Sequence, residues 1–248
     1  MAKVDILNIL FAYNEIKLLP FKKKFCDVNG MTLYVIDNMS NDGTGEWLKK
    51  NGIASHKVNT HNSFDLRILH KELQRTIHRI KPRWVVYNGA DLFPVMDDKI
   101  CNIIHRVEQK GYNAITLMFR SLFNTGEVSE KYDPFNTYFY TSTGGHLTMI
   151  VKYDRSLRVN VDQLVISKMK KVRLPGIILN YGHTKSPKER EETYRRRRLA
   201  WSRGLHKAYG RHYIGGHRRG WIYTKERLKD IRTTEYYKYV QQLQQWIK

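Results

Sequence analysis

Apolar runs alternate with polar loops and amphipathic segments along the first part of the chain. Residues 4–13 and 31–37 are nearly continuous apolar runs, the pattern of strands that are buried on both faces. A polar turn and a short helix, which we expect to break near Pro20, follow the first run. Residues 63–80 carry leucine and isoleucine at steps of three and four until Pro82 ends the pattern. This alternation predicts strands joined by helices, as in a parallel sheet.

The same pattern continues in the middle of the chain. Residues 85–94 begin as a buried strand, which we expect to end on Asp91, and a helix is expected over about 97–110. Further strands are predicted at 113–119, 137–143, 144–153 and 172–182. Strands alternating with helices favour one α/β domain with a sheet at its centre, and we place it at residues 1–184.

The composition changes after Gly182. Residues 186–189 carry a capping serine, a proline at the first helical position and a glutamate three residues after the cap, which together indicate the start of a helix. From 185 to 232 there are 16 Lys and Arg against 5 Asp and Glu, a net charge of +11. We therefore expect residues 185–248 to form a basic, mainly helical C-terminal extension packed on the first domain.

The whole chain is strongly basic. Its 248 residues carry a formal charge of +21, and 41% of them are hydrophobic, which is a globular composition. A charge of this size favours anionic partners such as nucleic acid, anionic membrane surfaces or nucleotides. Only Cys26 and Cys101 are present, so the sequence indicates neither a disulfide framework nor a zinc finger.

The sequence shows no targeting or membrane-spanning segment. Asp5 and Asn8 interrupt the first apolar run, and no small-residue cleavage site follows it. No apolar stretch approaches the roughly 20 residues that a transmembrane helix needs. We expect a cytoplasmic protein, attached to membranes peripherally if at all.

Polar side chains follow three of the predicted strands at the point where each strand ends. Asn14 and Glu15 follow the first, Asp37 and Asn38 the second, and Asp91 the third. Each one alone is explained by a helix cap or a turn. Ligands of α/β proteins bind at the carboxyl ends of parallel strands, so three such clusters in succession predict a shared binding crevice.

Five segments resemble family-2 glycosyltransferases of the GT-A fold, in that family's order and over roughly residues 4–200. The segment at 35–44, a strand running into Asp-Asn-x-Ser-x-Asp-Gly-Thr, is the most specific of them. The others are "AYNE" (12–15), "WVVYNGAD" (84–91), "VDQL" (161–164) and "YGHTKS" (181–186). The resemblance implies a GT-A, Rossmann-like, mixed and mostly parallel sheet flanked by helices, and a nucleotide-sugar-dependent enzyme.

The resemblance also implies a donor site for a UDP-sugar. Asp37 would accept hydrogen bonds from the base or ribose, with Asn14 and Glu15 beside it. Arg67 and Lys71 could reach the diphosphate, although solvated surface positions explain both. The complete set that the resemblance assigns to the donor is Ala12, Asn14, Glu15, Asp37, Arg67, Asn88, Gly89 and Ala90.

Asp91 matches the last position of the family's Asp-x-Asp motif, which holds Mn²⁺ or Mg²⁺ on the diphosphate. Such a cation would neutralise the leaving nucleoside diphosphate as a Lewis acid. Gly89 stands where the first aspartate of the motif is usual, so the ligand set departs from the family pattern. His183 matches a position at which related enzymes offer a histidine to the metal.

Transfer with inversion requires a general base that takes the proton from the acceptor hydroxyl. The resemblance nominates Asp162, although Val161 precedes it where an acid is usual. Asp133 or Asp154 could serve instead, and a helix cap is the structural alternative for Asp162. The turn at 144–146 could lie beside the sugar or the acceptor.

A cluster of arginines with aromatic neighbours occupies the C-terminal part. Basic side chains near phosphates, with aromatic rings that stack on unpaired bases, are typical of nucleic-acid binding. A solvated basic surface is the structural alternative. The residues assigned to nucleic acid are Arg195, Arg196, Arg197, Arg198, Arg218, Arg219 and Trp221.

The charge favours DNA as the acceptor. The specific hypothesis is a phage-type enzyme, acting in the host cytoplasm, that glycosylates a hydroxymethylated pyrimidine flipped out of the helix. Two alternatives stay open. One is a transferase that acts on a cell-surface polysaccharide or a lipid-linked acceptor, and the other is a non-catalytic nucleic-acid-binding protein on a transferase scaffold, favoured by Gly89.

Overall fold

The computed structural model describes residues 5–61, 63–123, 135, 139–140, 145–160, 163–183, 189, 191–193, 195–196, 199 and 229–247. The strands are β1 (Ile6–Ala12), β2 (Thr32–Asp37), β3 (Ala54–Lys57), β4 (Trp84–Tyr87), β5 (Leu92–Met96), β6 (Ala114–Phe123), β7 (Phe139–Tyr140), β8 (His146–Lys152), β9 (Arg158–Asn160), β10 (Gln163–Val165), β11 (Lys171–His183) and β12 (Lys229–Asp230). The helices are α1 (Leu19–Val28), α2 (Thr44–Lys50), α3 (Leu66–Ile80), α4 (Ile100–Gln109) and α5 (Tyr237–Ile247), with a short 3₁₀ turn at Ile231–Thr233.

The centre of the molecule is a mixed sheet with the strand order β12-β7-β6-β8-β4-β1-β2-β3. Strand β11 also pairs with β6, and β5 pairs with β11. The pairs β4–β1, β1–β2, β2–β3 and β6–β11 are parallel, and β8 is antiparallel to both of its neighbours. Strands β5 and β7 are also antiparallel to their neighbours. Apart from β5, β7 and β8, the strands of the sheet point the same way. The predicted mixed, mostly parallel α/β sheet is therefore confirmed.

Helix α1 contradicts the expected break near Pro20. The helix begins at Leu19, and Pro20 lies within its first turn. Proline is tolerated there because the first backbone N–H groups of a helix have no intrahelical partner. Pro20 thus starts this helix instead of interrupting it.

The segment from 85 to 94 is two strands and not one. Strand β4 ends at Tyr87, and after a turn β5 runs antiparallel to β11. Pro94 lies inside β5, which pairs only with β11 among the described strands, and proline within a sheet is confined to such edge strands. The reversal brings Asp91 to the start of β5, next to the end of β11.

The sheet is covered on both faces by apolar side chains. One layer includes Leu69, Leu73 and Ile77 of α3, each with no exposed surface. The opposite layer is built by α1, α4, β5 and α5. Helix α5 contributes four buried residues to this second layer: Tyr239, Val240, Leu243 and Ile247.

A half-buried carboxylate joins α4 to the sheet. Glu108 accepts hydrogen bonds from Arg83, which precedes β4, and from Lys152 at the end of β8, whose Nζ lies 2.9 Å from Oε1. Burial alone would raise the pKa of Glu108, but these hydrogen bonds outweigh it and hold the pKa at about 2.

Candidate functional site

The ends of β2, β1 and β4 lie side by side at one edge of the sheet. Ala12 is the Cα partner of Asp37, and Ile9 is the partner of Tyr87. Asp37 is only 1% exposed. Its Oδ1 accepts a hydrogen bond from the Ser40 backbone N–H at 2.9 Å, whereas Oδ2 is buried without a hydrogen-bond partner in the described residues. A buried carboxylate oxygen without a donor indicates a place for a ligand donor.

The loops after β1 and β2 are tied to each other. Asn14 has a positive φ of 55°, donates its backbone N–H to Ser40 Oγ at 2.9 Å and accepts from the Asn41 N–H through Oδ1 at 2.9 Å. The Glu15 N–H donates to Thr44 Oγ1 at 3.2 Å. Asn14 and Glu15 therefore hold the frame around Asp37 through these bonds. Their contact with a nucleotide stays a prediction.

Arg196 is buried beside this frame. It is 3% exposed, its guanidinium lies 3.3 Å from the ring centroid of Tyr13, and Nη2 donates to the Ser63 carbonyl at 3.1 Å. Asn38, with its amide oriented by its hydrogen bonds, accepts from the same Nη2 at 3.0 Å. The Arg196 guanidinium is thus used in contacts within the fold, and its contact with nucleic acid stays a prediction.

The other arginines of that cluster are placed differently or lie outside the described residues. Arg195 is exposed and forms a hydrogen-bonded pair with Glu192, with two N–O distances of 2.8 Å. The predicted contacts outside the described residues are Arg197, Arg198, Arg218, Arg219 and Trp221.

Tyr13, whose ring contacts Arg196, was not nominated from the sequence, because an aromatic residue beside "NE" carries no distinctive signal.

Arg67 lies at the start of α3. Its backbone N–H donates to the side chain of Asp65, the N-cap of α3, at 3.0 Å, and its guanidinium lies 3.4 Å from the same carboxylate. The neighbouring Ser63 carbonyl contacts Arg196, so α3 begins next to the frame around Asp37. The side chain of Arg67 is 65% exposed, and its contact with a diphosphate stays a prediction.

The turn after β4 presents a second set of buried polar atoms. Asn88 is 1% exposed, and neither its side-chain oxygen nor its nitrogen has a hydrogen-bond partner in the described residues. Ala90 is also buried, at 2% exposure. Asn88 follows β4, Asp37 ends β2, and β1 lies between the two strands. Two strand spacings separate these ends by about 10 Å.

Asp91 occupies the space that two glycines leave. A Cβ atom at Gly89 would lie 2.4 Å from Asp91 Oδ1, and one at Gly182 would lie 2.4 Å from Oδ2. The Tyr181 N–H donates to the Asp91 carbonyl at 2.9 Å, which fixes the turn to β11. His183 follows Gly182 on the same strand. The structure thus brings Asp91 to the end of β11, and the metal-binding roles of Asp91 and His183 stay predictions.

A lysine is buried behind Asp91. Lys22 has no exposed surface, donates to the Leu92 carbonyl, and places Nζ 4.5 Å from the ring centroid of Phe93. Burial lowers the pKa of Lys22 to about 8, while Cys26 and Asp91 oppose the shift. Sequence reasoning missed this residue, although Lys22 sits at helical spacing with the buried Leu19 and Cys26.

The donor set around Asp91 suits a hard cation only in part. In the described residues no group of three or more His, Cys, Asp or Glu side chains is placed to hold a metal ion. Mg²⁺ is commonly bound by one or two carboxylates together with substrate phosphates and water. The half-buried Asp91 carboxylate, held between two glycines, fits that smaller role.

A polar cavity of about 340 Å³ lies on the α3 face of the sheet, between β6, β8, β10 and β11. Burial lowers the pKa of His146, and Arg173 and Arg120 lower it further. The cavity is lined by Thr116, His146, Thr148, Gln163, Lys171 and Arg173.

The candidates for the general base are placed unequally. Asp162, the residue before Gln163, lies outside the described residues, as does Asp133. Gly144, which begins the predicted turn at 144–146, lies outside them too. Asp154 is exposed, and its Oδ1 accepts hydrogen bonds from the backbone N–H and the hydroxyl of Ser156. These bonds make Asp154 a turn cap, and the role of Asp162 stays a prediction.

In the described part of the chain, no helix combines the length and the apolar character that crossing a bilayer requires.

Comparisons with known proteins give structural neighbours only. No family model matches the chain, and no curated protein matches its sequence. A crystal structure of S. aureus TarS superposes with a TM-score of 0.44 at 11% identity, over 71% of this chain and 36% of that one. TarS 1-349 in complex with UDP gives a TM-score of 0.42 at 12% identity, over 90% of this chain and 76% of that one.

A third structure is glucosyl-3-phosphoglycerate synthase from Mycobacterium tuberculosis, in complex with Mn²⁺, UDP and glucosyl-3-phosphoglycerate. It gives a TM-score of 0.32 at 18% identity, over 52% of this chain and 48% of that one. The chain thus spans about a third of the length of TarS and about half of the synthase. These similarities are too low to assign a family.

Proposed function

We propose that this chain is a glycosyltransferase of the GT-A fold, which moves a sugar from a UDP-sugar to a hydroxyl of a polyanionic acceptor. The observation that carries the proposal is a set of buried polar atoms that have no hydrogen-bond partner among the described residues, at the ends of β2 and β4 on either side of β1. These atoms are Oδ2 of Asp37 and both side-chain polar atoms of Asn88. Residues 1–184 are the proposed catalytic domain.

Such atoms are costly in a protein that binds nothing. Leaving a buried donor or acceptor unpaired costs about 1–3 kcal/mol, and more when the group is charged. Asp37 can accept from the N–H and hydroxyl donors of a nucleoside. Asn88, two strands away, can both donate and accept. A nucleoside diphosphate lying across β1 would satisfy both ends and reach Asp91.

The proposed reaction proceeds with inversion. A general base takes the acceptor proton, the acceptor oxygen forms a bond to the anomeric carbon of the sugar, and the bond from that carbon to the diphosphate oxygen breaks. Asp162 is the proposed base. Bound Mn²⁺ or Mg²⁺, held by Asp91 and His183, would supply Lewis-acid neutralisation of the leaving diphosphate. Asp37 and Asn88 fix the nucleotide so that the sugar meets the acceptor.

The proposed acceptor is a hydroxymethylated pyrimidine in DNA. The support is electrostatic, because the chain carries a net charge of +21, with +11 of it between residues 185 and 232. A base would have to leave the stack to reach a sugar donor held at the strand ends. A polysaccharide or lipid-linked acceptor is the competing case that the experiment must separate.

The experiment has two stages. Titration calorimetry first measures UDP binding with and without Mn²⁺. The protein is then incubated with UDP-sugars and duplex DNA containing 5-hydroxymethyl pyrimidines, with unmodified DNA as the matched control. Digestion to nucleosides and mass spectrometry should show a hexose-sized mass increase on the hydroxymethyl nucleoside alone.

Each failure has a different meaning. UDP binding without any DNA adduct, together with transfer to a polyol or polysaccharide acceptor, would exclude DNA as the acceptor. Absence of UDP binding, with DNA still bound in a salt-dependent manner, would overturn the transferase proposal in favour of a non-catalytic nucleic-acid-binding protein.

A further inference from the structure

Helix α3 carries a regular row of cations on its outer face. The apolar face of the helix is buried, with Leu69, Leu73 and Ile77 packed against the sheet. Within Leu66–Ile80, where every residue is described, the exposed positions follow a spacing of four and are all basic. They are Arg67, Lys71, Arg75 and Arg79, which we name the α3 stripe.

The spacing makes the α3 stripe a line of charge. Each step of four residues advances about 6 Å along the helix axis and about 40° around it, so the stripe extends about 18 Å and winds about 120° around the helix. An open cavity of about 550 Å³ borders its C-terminal half. The cavity is lined by Lys71, Gln74, Arg75, His78 and Arg79.

Nearby carboxylates neutralise only part of the stripe. Asp65 lies 3.4 Å from Arg67, and Glu72 lies 2.5 Å from Arg75. Lys71 and Arg79 form no ion pair with a described residue. Arg79 donates to the Tyr34 hydroxyl at 2.9 Å and keeps its charge. The partly exposed pair of Arg75 with Glu72 is worth about 1 kcal/mol or less, so a phosphate can replace Glu72 at small cost, whereas the buried Asp65 stays the N-cap of α3.

We propose that the α3 stripe binds the phosphodiester backbone of DNA. Each strand of duplex DNA carries a phosphate about every 3.4 Å of the axis, so a stripe of four cations over about 18 Å is long enough to contact several phosphates. Cations on a helix surface reach phosphates without reading base edges, so this contact positions DNA independently of its sequence.

The position of the stripe connects it to the candidate site. Arg67 begins α3 next to Asp65, and the Ser63 carbonyl just before them contacts Arg196 in the frame around Asp37. DNA on the stripe would therefore pass the edge of the sheet at which the donor is proposed to bind. In this respect the inference rests on the proposed function, since it takes DNA to be the acceptor.

The α3 stripe suits a nucleic acid better than an anionic membrane. A helix that lies on a membrane inserts an apolar face between the headgroups. The apolar face of α3 is instead buried in the core, and every exposed position on the helix is charged. Vesicles containing anionic lipid are therefore included as a competitor in the test.

The test measures the salt dependence of DNA binding. A triple variant, Lys71→Gln with Arg75→Gln and Arg79→Gln, removes three charges from the stripe. The matched control, Lys24→Gln with Lys49→Gln and Lys50→Gln, removes three charges from exposed positions on α1 and α2, which pack on the opposite layer of the core. Binding of a fluorescently labelled duplex is followed by anisotropy over a series of KCl concentrations.

The expected result is a change in slope. Loss of three phosphate contacts should make the plot of log K against log [KCl] about 2.7 shallower for the triple variant. Between 50 and 200 mM KCl the wild type should then lose about 40-fold more affinity than the variant. The control should keep the wild-type slope. Lys71→Gln alone, at an exposed position, should lower the slope by about 0.9 and covers the case in which the triple variant fails to fold.

Three outcomes would overturn the inference: an unchanged slope in the triple variant, an equal loss in the control, or anionic vesicles that bind the wild type more tightly than the duplex does and lose that affinity in the triple variant. UDP calorimetry on the same proteins separates this result from the proposed function. A shallower slope in the triple variant of a protein that does not bind UDP would support DNA binding by the α3 stripe and overturn the proposed transferase activity. Normal UDP binding with an unchanged slope would support the transferase activity and overturn DNA binding by the stripe.

Discussion

The substitution Asp37→Asn should separate the stability of the protein from its ligand affinity. The amide is nearly isosteric, and its oxygen can keep the 2.9 Å bond from the Ser40 N–H. What the substitution removes is the negative charge of a carboxylate whose second oxygen is buried without a partner. Because Oδ2 accepts no hydrogen bond from a described residue and the Ser40 bond can be kept, removal of the charge should not weaken the fold.

The magnitudes follow from these contacts. An unpaired buried group costs about 1–3 kcal/mol, so the free energy of unfolding of Asp37→Asn should equal or exceed that of the wild type by about 1 kcal/mol. A hydrogen bond from a ligand to a charged acceptor contributes about 1.5–3 kcal/mol. Its loss should raise the Kd for UDP by about 10- to 150-fold.

Asp42→Asn is the matched control. Both oxygens of Asp42 are used, since Oδ1 accepts from the Thr44 N–H at 3.0 Å and Oδ2 accepts from the Ile16 N–H at 3.1 Å. This variant should lose about 1 kcal/mol of stability and keep its affinity for UDP. Urea unfolding followed by tryptophan fluorescence and UDP calorimetry measure the two quantities. If Asp37→Asn were destabilised like the control and bound UDP normally, Asp37 would be a structural cap and the reasoning would be refuted.

Three further substitutions test other parts of the structure. Gly182→Ala places a Cβ 2.4 Å from Asp91 Oδ2, so the Mn²⁺-dependent gain in UDP affinity should shrink, and an unchanged gain would argue against Asp91 as a ligand. The hydrogen-bonded Glu108 should contribute about 2 kcal/mol to the free energy of unfolding above about pH 4.5, a value reduced because Arg83 and Lys152 are partly exposed. This contribution should disappear as the pH falls toward 2. The urea midpoints of Glu108→Gln should lack this pH dependence. Arg196→Lys should lower stability by about 1–3 kcal/mol without changing the salt slope of DNA binding, whereas a shallower slope would show that Arg196 reaches DNA.

The strongly periodic elements were predictable from the sequence. The segment predicted as a helix over 63–80 is α3, Leu66–Ile80, because its apolar residues follow the helical period and Asp65 caps it. The first two strands also lie where their apolar runs indicated. The reversal between β4 and β5 was not predicted, because the polar residues at 88–91 were interpreted as the end of one strand and not as a turn into a second one.

The positions of the candidate-site residues were predictable from the sequence, but their burial and hydrogen bonding were not. Strand ends located Asp37 and Asp91, yet the unpaired Oδ2 of Asp37 depends on which backbone N–H groups the folded loop brings near. A run of arginines gave no means of telling that Arg196 is buried while Arg195 is exposed. Lys22 was missed because a lysine is assigned to the surface by default.

The packing of α5 bears on how this chain could be shortened. Trp246 of α5 contacts Phe25 of α1, with ring centroids 6.0 Å apart, and four residues of α5 lie in the same core layer as β5. A protein that stops at residue 184 would lack α5 and would leave Phe25 and its neighbours in that core layer facing water. If that protein failed to bind nucleic acid, the cause could be the unfolding of its core and not the loss of basic residues. A deletion that keeps residues 229–247 is therefore the informative one.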